Sequence, residues 1–296
     1  MATAIDREAA LAVVKSVSAR LGVEATGAEL LGPIADNAVF RLPGRLVARI
    51  SPASEYQRAL REVRTGRWLA AQGVRAVRPV ESIELPWSVD GHVVTLWHEV
   101  PDASMASTAE LAGLLRQLHT VPIPSDFEIP ALDPFVRLDE HLAAAVVLSA
   151  GDRTFLASRL DGLRLEYART SAGLPDCVIH GDANRKNAIR GSDGAAVLLD
   201  LERFSIGPRE WDLVVPAVYQ RLGWYDDSEY NAFVDAYGWD VRTWDGFRVF
   251  AALREFRMTA WLVSRLVREP RLTEEAARRI ASLRAPDAPR SWTPGA

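Results

Sequence analysis

The sequence predicts an α+β chain in two parts, a small, mostly antiparallel sheet followed by a helical region. Three observations carry that expectation. Short apolar runs separated by the turn dipeptides Pro43-Gly44 and Asp90-Gly91 crowd residues 1–100. Helical periodicity dominates after Pro101. One β-like stretch, residues 177–204, interrupts the helical part. The boundaries are therefore placed at 1–100 for the first lobe and 101–285 for the second. Residues 286–296 are expected as a loose tail, because Pro286, Pro289 and Pro294 discourage regular structure there.

Taken in order, Asp6 is suited to cap a helix with apolar positions at Leu11, Val14, Val17 and Leu21, closed by Gly22. Strand patterns follow over 28–34, 37–42 and 45–51, the last two joined at Pro43-Gly44. A helix from about Glu55 carries Leu60, Val63 and Leu69 and ends near Gly73. A further strand is expected over 77–82, and Asp90-Gly91 turns a hairpin between 87–89 and 92–99. Ser107 and Glu110 have capping-box spacing ahead of a helix through Leu111, Leu114, Leu115 and Leu118. The arginine-rich helical stretch 254–268 reads as a surface.

Composition narrows the function. The chain has 296 residues, enough for two domains of moderate size. Its 48% apolar and 25% charged residues are those of an ordinary soluble enzyme. A net charge of −4 speaks against a nucleic-acid partner. No apolar run approaches a membrane span, and the N-terminus lacks the basic-then-apolar order of a signal peptide. With Cys177 the single cysteine, no intrachain disulfide is possible, and a cytoplasmic location is expected. Lysine occurs only at Lys15 and Lys186, which restricts the side chains that can do a lysine's work.

The chemistry is concentrated in the β-like interruption. Residues 178–187 read Val-Ile-His-Gly-Asp-Ala-Asn-Arg-Lys-Asn, so an apolar strand delivers a loop bearing His180, Asp182 and Asn187. After the turn Gly191-Ser192-Asp193-Gly194, a second apolar strand over 195–199 ends on Asp200, with Glu202 just beyond. Phosphoryl transfer needs a carboxylate that orients the attacking hydroxyl and accepts its proton, together with oxygen ligands for magnesium on the ATP phosphates. Asp182 suits the first role, as catalytic base. Asn187 and Asp200 suit the second, since magnesium prefers few carboxylates plus phosphate oxygens and waters. His180 reads as a hydrogen-bonding brace of the loop. Glu202 is either a second metal ligand or a solvated side chain.

These segments resemble those of the aminoglycoside phosphotransferase and choline kinase family, relatives of the protein kinases. The resemblance rests on His180-Gly181-Asp182 through Asn187, on Leu198-Leu199-Asp200-Leu201-Glu202, and on Gly207-Pro208-Arg209-Glu210-Trp211-Asp212-Leu213. It implies a bilobal protein-kinase-like fold, ATP or GTP with Mg2+ as cofactors, and phosphorylation of a hydroxyl on a small molecule. It further implies that Asp212 caps a helix and buttresses the catalytic loop.

The same resemblance can be followed into the first lobe. A kinase small lobe carries a basic residue on its third strand to touch the ATP phosphates, and a helix acid to hold it. Here that strand reads Arg45-Leu46-Val47-Ala48-Arg49-Ile50, so Arg49 stands where a lysine is expected, with Glu62 as its partner. Arginine can grip phosphate or carboxylate in bidentate fashion, so the role is open to it. The phosphate-covering turn would be 31–37, through backbone amides at 35–37. Residues 96–100 fall at the inter-lobe hinge, where the backbone of Glu99 and Val100 would bond adenine. Lys186 would reach the transferred phosphate.

Two features favour a small acceptor. No Phe-Gly follows Asp200, and no activation loop ending in Ala-Pro-Glu comes after it, which leaves little room to dock a peptide. In the C-terminal helices Asp226, Asp227, Glu229, Asp235, Asp240, Asp245 and Glu255 alternate with arginines. That balance tilts the acceptor away from a strongly cationic antibiotic, towards a neutral or partly anionic sugar or nucleoside natural product. A kinase that inactivates an antibiotic, either an aminoglycoside or a nucleoside or sugar natural product, is the expectation, as a monomer or homodimer. A housekeeping metabolite kinase shares the same core, and the missing strand lysine keeps a catalytically weak, nucleotide-binding pseudokinase as an alternative.

Overall fold

A computed structural model describes residues 5–34, 37–285 and 288–295. In chain order the elements are α1 (Arg7–Leu21), β1 (Glu29–Leu30), β2 (Ala38–Leu42), β3 (Leu46–Pro52), α2 (Tyr56–Ala71), β4 (Trp87–Val89), β5 (His92–His98), β6 (Ser104–Met105), α3 (Thr108–Leu118), α4 (Leu138–Ala144), α5 (Ala150–Ala168), β7 (Cys177–Ile179), β8 (Ala188–Arg190), β9 (Ala196–Leu198), β10 (Ser205–Gly207), α6 (Glu210–Arg221), α7 (Asp227–Tyr237), α8 (Phe247–Ser264) and α9 (Thr273–Arg284). The expected caps form: Asp6 accepts from Ala9 N–H at 2.7 Å, and Ser107 with Glu110 makes a reciprocal capping box. Among the described residues no helix is long and apolar enough to cross a membrane.

The chain weaves between two units rather than dividing once. Met1–Ala106, Pro124–Ile129 and Arg185–Phe204 form one; Ser107–Ile123, Pro130–Asn184 and Ser205–Ala296 form the other. The first is built on a five-stranded antiparallel sheet in the order β1-β2-β3-β5-β4. Along β3, Ala48 and Ile50 are buried while Arg49, between them, points to the opposite face, as strand periodicity requires. Asp90 and Gly91 both take positive φ, +48° and +75°, the geometry a two-residue hairpin needs between twisted strands. The strand expected over 77–82 is absent. Within that segment Pro79 makes an isolated bridge with Trp97, flanked by Val80 N–H to the Leu96 carbonyl and His98 N–H to the Arg78 carbonyl, both at 2.9 Å. The strand expected over 28–34 contracts to β1. A second sheet, β6-β8-β9, pairs Ala188 with Leu198 and Arg190 with Ala196.

The second unit is helical around one short strand pair, β7 with β10. Its core joins Leu156, Leu160 and Leu163 of α5, Val214 and Val218 of α6, Phe250 and Phe256 of α8, and Ile280 of α9. Two expectations are corrected here. The stretch 254–268 is not simply surface: Glu255, Leu262 and Val263 are buried, and the Arg254 side chain is only 13% exposed. The described part of the tail is not loose either. Trp292 is buried, its carbonyl accepts from Trp224 Nε1 at 2.8 Å, and Arg290 pairs with Glu255 at 2.9 Å with both side chains inside. Proline forbids regular structure in this segment, but one tryptophan and one arginine suffice to anchor it.

Candidate active site

Within the first unit, the β8–β9 hairpin places two of the expected residues. Leu199 N–H donates to the Asn187 carbonyl at 2.8 Å, adding a rung beyond the Ala188–Leu198 pair. Asn187 and Asp200 therefore leave the same end of one hairpin, an amide oxygen and a carboxylate on adjacent strands. Asp200 adopts φ +56° and ψ +70°, a left-handed conformation that costs a non-glycine residue about 1–2 kcal/mol. The turn Leu201–Arg203 then carries Glu202 back towards β3.

Arg49 spans that turn and α2. Its Nη1 donates to Glu62 at 2.7 Å and its Nη2 to Glu202 at 3.0 Å, with Arg58 at 3.7 Å from Glu202. The expected Arg49–Glu62 pair thus forms, but as half of a fork. Glu202 is corrected in the same stroke: it is an arginine partner rather than a solvated side chain. Burial pushes the Glu62 carboxyl up to about 7, with Glu202 and Asp200 adding to the effect and Arg49 opposing it. Those carboxylates hold the Arg49 guanidinium above its usual value although burial works the other way. Three carboxylates thus act on this arginine. Among the described residues no group of three His, Cys, Asp or Glu side chains could hold a metal. The donor set fits magnesium, which takes one or two carboxylates and completes its shell with phosphate oxygens and water.

The second unit carries the loop after β7. Asp212, wholly buried in the first turn of α6, accepts from His180 N–H at 2.7 Å and Gly181 N–H at 2.9 Å. It does not cap α6; Arg209 occupies that position. His119 Nε2 lies 3.0 Å from the same carboxylate, and its Nδ1 lies 2.9 Å from the Tyr237 hydroxyl. Trp211 Nε1 donates to the Gly181 carbonyl, and Gly181 itself needs φ +84°. His180 Nδ1 accepts from Asp182 N–H at 3.3 Å, and Asn184 Nδ2 donates to the Asp182 carbonyl at 3.1 Å. The backbone at Asp182 is thereby held from both sides. Its carboxylate meets Arg254 of α8, whose Nη2 donates to Oδ1 at 2.9 Å.

Other expected residues lie as follows. Glu99 N–H donates to the Arg45 carbonyl at 2.9 Å, and its side chain bonds Arg41, so that amide is already committed. Val100 packs against Gly191, where an added Cβ would come within 3.0 Å of its Cγ1. Lys186 is exposed on the turn Arg185–Asn187. Ala35 and Asp36, assigned to a phosphate-covering turn, lie outside the described residues. Sequence reasoning missed His119, Arg254 and Tyr219. A signal existed for Arg254: with Glu255 it interrupts the apolar run 249–256, where charges inside a buried helix need partners.

Comparisons with known proteins bear on the family and the fold. The model of a phosphotransferase enzyme family matches residues 29–250. No curated protein matches the chain. Among solved structures, a choline/ethanolamine kinase family protein from Mesorhizobium loti is 20% identical, with 95% of each chain covered and a TM-score of 0.65. An amicoumacin kinase in complex with AMP-PNP and Ca2+ is 13% identical, with 94% of this chain and 95% of that one covered and a TM-score of 0.70. An aminoglycoside phosphotransferase from Streptomyces rimosus is 23% identical, covering 85% and 98%, with a TM-score of 0.61. These likenesses identify a protein-kinase-like fold, with an antiparallel sheet in the N-terminal region and helices in the C-terminal part.

Proposed function

The chain belongs to the phosphotransferase enzyme family, and from that premise we propose that it moves the γ-phosphoryl group of ATP to a hydroxyl of a small molecule. The carrying observation is the rigid presentation of Asp182. Its loop is tied to the buried Asp212 through two backbone N–H groups, so the carboxylate arrives at the end of a braced turn. Asp182 orients the acceptor hydroxyl and takes its proton as the new phosphorus–oxygen bond forms and the bond to ADP breaks. Asn187 and Asp200 would hold magnesium, which when bound offsets charge on the phosphates. Arg49, gripped by Glu62 and Glu202, keeps a permanent positive charge beside that carboxylate set, and Lys186 adds a second cation to meet the transferred phosphate. Val100, together with the carbonyl of Glu99, would line the nucleotide through the backbone.

The acceptor is proposed to be a neutral or partly anionic hydroxylated natural product, such as a nucleoside or sugar antibiotic, whose phosphorylation would confer resistance. Support comes from the acids of the C-terminal helices, most of which have internal partners, Asp227 accepting from Gln220 at 2.8 Å among them. Asp226 and Glu229 cap α7, Asp240 grips Arg242 and Tyr230, and Glu255 is buried against Arg221 and Arg290. A polycation would find few of these carboxylates uncommitted.

The test is a coupled assay of ATP consumption with magnesium across nucleoside antibiotics, sugars, amino alcohols and aminoglycosides. We expect turnover with at least one hydroxylated acceptor. D182N should lower kcat by about 100-fold or more while the KM for ATP stays put. A protein that binds magnesium ATP yet turns over no acceptor would instead be a nucleotide-binding pseudokinase.

A further inference from the structure

Arg254 is placed at a cost. Its side chain is only 13% exposed, and its Nε is buried without a hydrogen-bond partner. A buried guanidinium with an unmet N–H is unfavourable unless a nearby charge compensates it. The compensating charge is Asp182, at 2.9 Å from Nη2; the Tyr219 hydroxyl, at 3.3 Å from the same nitrogen, is the other contact. The neighbouring Glu255 does not serve, because its carboxylate faces Arg221 and Arg290. Consecutive residues of α8 thus have separate tasks: Glu255 ties the helix to the tail segment, and Arg254 reaches the loop after β7.

A charge-assisted bond to one carboxylate oxygen restricts rotation of the whole group. Orientation matters here, since a base works only within hydrogen-bond reach of the proton it removes, and misplacement by about 1 Å costs on the order of 100-fold in rate. We infer that Arg254 is a positioning residue for the proposed base: by holding Oδ1 of Asp182 it directs the second oxygen to the acceptor hydroxyl. This rests on the reading of Asp182 given above.

The experiment compares wild type, R254A, R254M and R254K with an acceptor found in the panel, at saturating magnesium ATP. R254M keeps the apolar stem and guards against simple loss of packing. We expect kcat to fall about 100-fold in R254A and R254M, with the KM for ATP changed less than about twofold. R254K should recover only part of the loss, because an ammonium lacks the planar fork. Guanidinium ion at a concentration too low to unfold the protein should raise R254A activity about tenfold, and urea at the same concentration should not. A kcat within about threefold of wild type in both R254A and R254M would overturn the inference. So would a loss of activity that tracks loss of folded protein, with no rescue. If D182N is as active as wild type, the base assignment fails and takes this inference with it. If D182N is inactive while R254M is active, only the role of Arg254 fails.

Discussion

Glu62 is a carboxylate held in tension by its surroundings. It lies almost wholly inside the first unit, paired with Arg49 yet close to Glu202 and Asp200, and burial raises its proton affinity from the ordinary 4.5 to about 7. The sign of the consequence follows from which state binds more protons. Between those two values the folded carboxyl stays protonated while the unfolded one is ionised. The group's contribution to stability is therefore complete below about 4.5 and is lost as pH rises through about 7. We expect the unfolding free energy of the ligand-free protein to decline between pH 5 and 8 by on the order of 1–3 kcal/mol more than that of E62Q. Urea unfolding of both proteins at several pH values measures it, and parallel pH profiles would show that Glu62 is not the source. Asp212 is also buried, with two backbone N–H groups donating to its carboxylate and His119 Nε2 beside it at 3.0 Å.

At the scale of elements, two small strand pairs do the positioning. The β8–β9 hairpin brings Asn187 level with Leu199, next to Asp200; the β7–β10 pair fixes the strand that enters the loop at His180. Close approach matters in the second. A Cβ on Gly207 would stand 2.9 Å from Leu132 Cβ, and Leu132 cannot retreat because its N–H is bonded to Ile206. G207A should therefore destabilise the protein by about 1–3 kcal/mol through overpacking. A urea midpoint unchanged from wild type would mean that the segment around Leu132 yields. Helix α8 shows the opposite economy of contacts, with Phe250 and Phe256 in the core and Arg254 and Glu255 each matched to a distant partner.

At the scale of the whole molecule, the tail closes over the second unit. Arg290 and Glu255 form a buried pair, Trp292 fills a core position, and Thr293 N–H bonds Glu275 at 2.9 Å. Deleting residues 286–296 leaves Glu255 without one of its buried partners and exposes apolar core, so we expect a loss of about 3–5 kcal/mol. E255Q in the full chain should cost less, since it removes the charge but keeps the packing. Calorimetric melting of the truncated protein checks this, and an unchanged melting temperature would return the tail to the loose segment its prolines suggest. Sequence alone determined the order of sheet and helices, the caps at Asp6 and Ser107, and the spacing of His180, Asp182, Asn187 and Asp200. All of these are set by neighbours a few residues apart, through hydrogen-bonding periods and the donors that phosphoryl chemistry demands. The tertiary structure alone decided that Arg49 reaches Glu202, that His119 backs Asp212, and that Arg254 holds Asp182. Those partners lie 153, 93 and 72 residues apart, and no local pattern selects one arginine or histidine over another across such distances. Packing brings them together, and the cost of leaving a buried charge unpaired then makes each pairing specific.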